Sequence, residues 1–115
     1  MNDFLLIFRR DPAIDAQMTP AQMQEVTKPW MDWMGSLAAQ GKLADSGNRL
    51  AADGRVVNAG NVVTNGPYVE IKEAIGGYIV VRAASLDEAS ELAKGCPILD
   101  AHGNVEVRQI QTMQR

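Results

Sequence analysis

The chain has 115 residues, 46% of them hydrophobic and 22% charged, and a formal net charge of −3. That length fits one domain with a modest core, over residues 1–115. The mild acidity speaks against direct nucleic-acid binding, which needs a clustered basic face, and no apolar run approaches the length of a membrane span.

Cysteine and histidine counts narrow the chemistry. Cys96 is the single cysteine, so no intramolecular disulfide can form, and a reducing cytoplasm is expected. Residues 1–10 lack a basic region ahead of their apolar residues, so no signal peptide is expected. His102 is the single histidine, which leaves no His/Cys zinc cluster. Neither a metal nor a tightly bound cofactor is expected.

Phe4-Leu5-Leu6-Ile7-Phe8 is a short apolar run that predicts a buried strand. Thr19-Pro20-Ala21-Gln22 is a helix start: Thr19 can cap, Pro20 suits the first helical position and Gln22 can complete a capping box. Met23, Val26, Trp30, Met34 and Leu37 then form one apolar stripe, and Gly41 marks the stop. Pro29 inside that pattern predicts a kink or a restart. Lys42 to Leu50 reads as a second strand with a bulge at Gly47. Asp53-Gly54 predicts a hairpin joining Arg49-Leu50-Ala51 to Arg55-Val56-Val57. Val62-Val63 is a further extended piece.

Gly77 to Ala84 is the strongest strand signal in the chain. Ser85-Leu86-Asp87-Glu88 predicts a second capping box. Leu86, Ala89, Leu92 and Ala93 make a narrow apolar face, and Gly95 and Pro97 end that helix. Val105-Glu106-Val107-Arg108 alternates as a last strand. The order β-α-β-β-α-β, with an inserted hairpin, is the ferredoxin-like α+β plan: an antiparallel sheet with both helices on one face. The other face needs a cover, and a second copy of the chain is the simplest one, so a homodimer is expected.

Asn65-Gly66-Pro67-Tyr68, Glu70, Lys72-Glu73 and Gly76-Gly77-Tyr78 together resemble the signature of the YCII-related, DGPF-type domain family. Thr19-Pro20 with Met23, Ser85 to Ala89 before Cys96-Pro97, and Val105 to Arg108 agree with it. The resemblance implies a dimeric α+β barrel of ferredoxin-like units. It also implies that some relatives are linked to extracytoplasmic-function sigma factors, and others to a histidine–aspartate pair in a cleft. The family's aspartate is Asn65 here, which weakens a proton-carrying role at that position.

The motif residues have two readings each. Asn65 before Gly66-Pro67 suits an Asx-turn, which asparagine and aspartate both make; Tyr68 suits either a pocket wall or a buried aromatic. In an extended segment Glu70 and Lys72 share one side. With Glu73 they form either a solvated ion-pair face, worth roughly 0–1 kcal/mol, or a polar cluster for proton transfer at a cleft mouth. Gly76-Gly77 predicts a bulge or close backbone approach more readily than a phosphate cradle. His102, in the Asp100-Ala101-His102-Gly103 loop, is the single side chain with an unperturbed pKa near neutrality. Trp30, Met31, Trp33 and Met34 suit core and dimer packing before a ligand cage, and Cys96 suits a buried thiol before a nucleophile.

Two function classes follow. One is a small-molecule enzyme without a tightly bound cofactor, using Glu70, Lys72, Glu73 and His102 as acid–base groups and Arg9, Asn65 and Tyr68 as ligand contacts. The other is a non-catalytic dimeric module that binds an unknown small molecule or serves regulation linked to sigma-factor-dependent transcription. A metal-dependent activity ranks below both.

Overall fold

A computed structural model describes residues 1–66 and 74–111, the side chain of Asp15 aside. Strand β1 (Asn2–Arg10) leads through a short α1 (Pro12–Ala16) to α2 (Pro20–Ala39). Strands β2 (Leu43–Arg49), β3 (Arg55–Asn58), β4 (Val62–Asn65) and β5 (Ala74–Ala83) follow, then α3 (Leu86–Ala93), a 3-10 turn (Pro97–Ala101) and β6 (Asn104–Gln109). The main sheet has the order β2-β5-β1-β6, and β3 and β4 pair apart from it. All three contacts in the main sheet are antiparallel, so β1 and β2 run parallel with β5 between them. This is the ferredoxin-like α+β arrangement.

Alternation along β1 decides which face is the core. Phe4, Leu6 and Phe8 are buried, and from β5 Ile79, Val81 and Ala83 join them. Leu37 of α2 and Ala89 and Ala93 of α3 complete the cluster on that face. Fully burying a Phe, Leu, Ile or Val side chain contributes about 1.5–3 kcal/mol by leaving water, and Phe4 and Leu6 are at 0% exposure. Leu5, Ile7, Tyr78 and Val80 point to the opposite face and stay half-exposed.

The helix ends follow their residues. The Gln22 amide donates to Thr19 Oγ1 (3.2 Å), and the Thr19 amide donates to Gln22 Oε1 (2.9 Å), closing the capping box. Gly41 ends α2 at φ 69°; its amide donates to Ala38 and that of Lys42 to Leu37, a Schellman motif. Pro29 does not restart the helix. α2 is continuous through it, and Lys28 pairs with Asp32 across it at 2.9 Å.

Three expectations need correction. The hairpin is not at Asp53-Gly54. β3 pairs with β4, with Val57 opposite Val63, and the turn lies at Gly60 (φ 81°) and Asn61 (φ 65°). Gly54 lacks a positive φ, and its carbonyl instead accepts from the Gly66 amide at the hairpin base. Ser85 caps α3 by accepting from the Glu88 amide (3.1 Å), but the Glu88 carboxylate pairs with Lys42 (3.3 Å) rather than completing a box. Leu86, at the first turn, is exposed and outside the apolar face. The turn formed by α1, with Asp11 Oδ1 accepting from the Ala13 amide, was also not foreseen.

Candidate functional site

The stripe on α2 is not uniformly buried. Leu37, near its C-terminus, is 2% exposed, whereas Met23, Val26 and Trp30 stay half-exposed. Their side of the helix roofs a cavity of about 480 Å³ between α2 and the β2–β5 edge of the sheet. That volume lies in the range of small-molecule sites. Phe8, Ile79 and Ile98 form its apolar floor, and Met31 stands at the outer rim.

Two glycines shape the side wall. Pairing of β2 with β5 is interrupted between Asp45 and Asn48, and Gly47 sits in that bulge with φ 62°. A Cβ at Gly47 would overlap the carbonyl oxygen of Tyr78, and one at Gly77 would lie 2.8 Å from that of Asn48. The two backbones thus meet with no side chain between them. Gly76 is the extra residue of a bulge on β5, since Phe8 pairs with Gly77 and Arg9 with Ile75. The bulge or close approach expected of Gly76-Gly77 is therefore present in both forms.

Behind the cavity stands an aromatic trio. Phe8 meets Trp30 edge-on with centroids 5.0 Å apart, and Trp33 meets both at 6.1 and 5.9 Å. Trp33 is fixed by its indole Nε1, which donates to the Leu92 carbonyl (3.1 Å). Gly95 lets the ring sit there, because a Cβ would lie 2.9 Å from the indole.

The polar side chains of the wall are Arg10, Arg49, Thr27 and Ser46. On the opposite face of the β2–β5 pair, Asn48 Nδ2 donates to the Tyr78 hydroxyl (3.1 Å). Among the described residues no aspartate, glutamate, lysine or histidine lines the cavity.

A comparison with family models matches residues 4–114 to the YCII-related domain. The chain belongs to the YCII-related domain family. Curated proteins give no match.

Glu70, Lys72, Glu73 and Tyr68 lie outside the described residues. Arg9, Asn65 and His102 are described, and none of them lines the cavity under α2. Arg9 points to the opposite face of the sheet and pairs with Glu106 (3.4 Å), which also pairs with Arg108 (3.4 Å). Asn65 ends β4 beside an open hollow, where its Oδ1 accepts from Arg55 Nε (3.4 Å). His102 is exposed and closes the 3-10 turn at φ 63°, its amide donating to Ile98.

Arg10, not Arg9, is the arginine of β1 that reaches the cavity. The signal was present in the alternation: Phe4, Leu6 and Phe8 face the helices, and Arg10 is next in phase. The roof was legible as a stripe, but packing against the sheet was the simpler reading of it.

Cys96 belongs to the core at 2% exposure. Burial pushes its thiol up to about 12 from 9.0, with the Ile98 backbone and the Arg10 charge opposing. The folded state thus holds the neutral thiol, as expected of a structural cysteine. Its contribution to stability is full below pH 9.0 and is lost as pH rises toward about 12. A thiol-specific reagent at pH 8 is expected to label Cys96 only at the rate of unfolding; rapid stoichiometric labelling of the folded chain would contradict this burial.

The described helices include none long and apolar enough to cross a membrane.

Proposed function

We propose that this YCII-related domain is a dimeric small-molecule-binding module, with its site in the cavity under α2. The half-exposed stripe of Met23, Val26 and Trp30 over that cavity carries the reading. A helix that needed the stripe only for stability would bury it. Here the glycine-lined β2–β5 wall and the methionines leave room for a guest, and methionine packs adaptably against varied shapes. The aromatic trio gives the cavity a rigid back.

The enzyme reading would place proton transfer on Glu70, Lys72, Glu73 and His102. It has less support, because His102, the one of these four among the described residues, is outside the cavity wall. The dimer joins the opposite sheet faces of two copies. Leu5, Ile7, Tyr78 and Val80 would form its centre, and Asp3–Arg82 and Arg9–Glu106–Arg108 its rim. Both signs stand on that rim, so a twofold-related copy can match each with its opposite. A cytoplasmic setting suits the free buried thiol.

Thermal melts against a metabolite panel test the binding role. A guest at about a hundred times its Kd adds roughly 2.7 kcal/mol to stability, which raises the Tm by several degrees. A panel of apolar and amphipathic compounds that leaves the Tm unchanged throughout would contradict it.

A further inference from the structure

We propose that residues 20–28, the first half of α2, are a lid on the cavity that swings about Pro29 to admit a guest. The inference rests on the reading of the cavity as a ligand site and adds how that site opens. Its first support is the backbone at the middle of the helix. Proline has no N–H, so Pro29 cannot give the Glu25 carbonyl the bond that ties one turn to the next. In the turn before it, Thr27 Oγ1 donates to the Met23 carbonyl at 2.8 Å, a back-bond that bends helices. Both features fall where the roof of the cavity meets the anchored part of α2. A few residues so placed are what a hinge requires.

The second support is uneven anchoring. Beyond Pro29, Trp30 packs edge-on against Phe8, Trp33 donates to the Leu92 carbonyl, and Leu37 is the buried residue of α2. The Gly41 and Lys42 amides close that end of the helix, and Lys42 pairs with Glu88 of α3. Ahead of Pro29, residues 20–28 are all exposed or half-exposed. The capping box between Thr19 and Gln22 is local, so it travels with the lid and keeps it helical. Lys28–Asp32 crosses the hinge, but its side chains are 81% and 66% exposed, and a pair so exposed holds weakly. A segment with little buried surface opens at low cost.

The third support is what the motion would uncover. Met23, Val26 and Thr27 belong to the lid and line the cavity from above. Phe8, Ile79 and Ile98, which form the floor, stay with the sheet and the 3-10 turn. Lifting the lid therefore opens the cavity without disturbing its floor or the aromatic trio behind it.

Amide hydrogen exchange of the full chain, read by nuclear magnetic resonance, tests the lid. Residues 24–27 are expected to exchange roughly tenfold or more faster than residues 34–38. Pro29 is exposed and outside the cavity wall, so Pro29→Ala restores the missing bond without touching the site. It should slow exchange at 24–27 about tenfold, the scale of one hydrogen bond, and leave 34–38 unchanged. Gly35→Ala is the control. Its Cβ meets nothing within 4 Å, so it strengthens the helix beyond the hinge and should leave 24–27 as they were. In the unaltered chain, 1-octanol or octanoate near saturation should slow 24–27, because a guest holds the lid down. Trp30 and Trp33 are the chain's two tryptophans, and their fluorescence reports occupancy. Equal exchange on both sides of Pro29 overturns the lid and leaves the cavity reading standing. So does equal slowing of 24–27 by the two variants, or occupancy by a probe with unslowed exchange at 24–27. No binding by either probe overturns the cavity reading and the lid with it.

Discussion

Gly47→Ala is expected to lower stability by roughly 3 kcal/mol, among the larger effects a single methyl can have. Two costs add. At φ 62° an L-residue is strained, by about 1 kcal/mol or more, and the new Cβ must displace the Tyr78 carbonyl, an overpacking cost of about 1–3 kcal/mol. The obstacle is backbone of a central strand, which cannot rotate away. For a domain near this size the loss corresponds to a fall in Tm of roughly 15 °C. Gly54→Ala is the control: its Cβ meets nothing within 4 Å and its φ is not positive, so its Tm should barely move. The pair separates the glycine that shapes the cavity wall from the glycine that the sequence marked as a turn. Equal melting of the two variants would mean that β2 does not cross β5 at Gly47.

Ile7→Lys is expected to turn the proposed dimer into a monomer. Ile7 lies on the middle strand pair of the open sheet face, opposite Tyr78 on one side and Glu106 on the other. A twofold interface presents each substitution twice, and burying two ammonium groups at an apolar centre carries the loss of a binding hot spot, about 2–4 kcal/mol, or a Kd weakened by roughly a hundredfold. Light scattering should give twice the chain mass of 12.5 kDa for the unaltered protein and one mass for the variant. The fold should survive, because Ile7 is half-exposed in the single chain whereas its neighbour Phe8 is 5% exposed. A single-chain mass for the unaltered protein at micromolar concentration would remove the dimer from this account.

Much of the fold could be read from local rules. The Thr19-Pro20-Gln22 start, the Gly41 stop and the Phe4 to Phe8 strand each depend on neighbours a few residues away, where propensity and capping act. The misplaced hairpin shows where such rules fail. Asp53-Gly54 is a strong turn pair in isolation, but Gly60-Asn61 closes strands that match valine to valine, Val57 opposite Val63. Glu88 shows the same competition in a cap, since Lys42 from another element takes the carboxylate that the local box would have used.

The site was less legible, because it is made by distant segments. Arg10, Gly47, Gly77 and the N-terminal half of α2 meet only through the sheet order β2-β5-β1, which no local pattern prints. The stripe Met23, Val26, Trp30 was visible, yet a stripe is the same whether it covers a packed sheet or a cavity. Arg9 was the expected ligand contact on β1; strand alternation sends it to the outer face and its neighbour Arg10 inward.

The most direct test of the cavity as the binding site is a methyl spectrum of protein labelled at methionine, titrated with octanoate and with 1-octanol. The account predicts that Met23, Met31 and Met34 shift together and saturably, because all three line the cavity, while Met1 and Met18, outside its wall, stay in place. Shifts confined to Met1 and Met18, or no saturable shift at Met23, Met31 and Met34 with either probe, would contradict it.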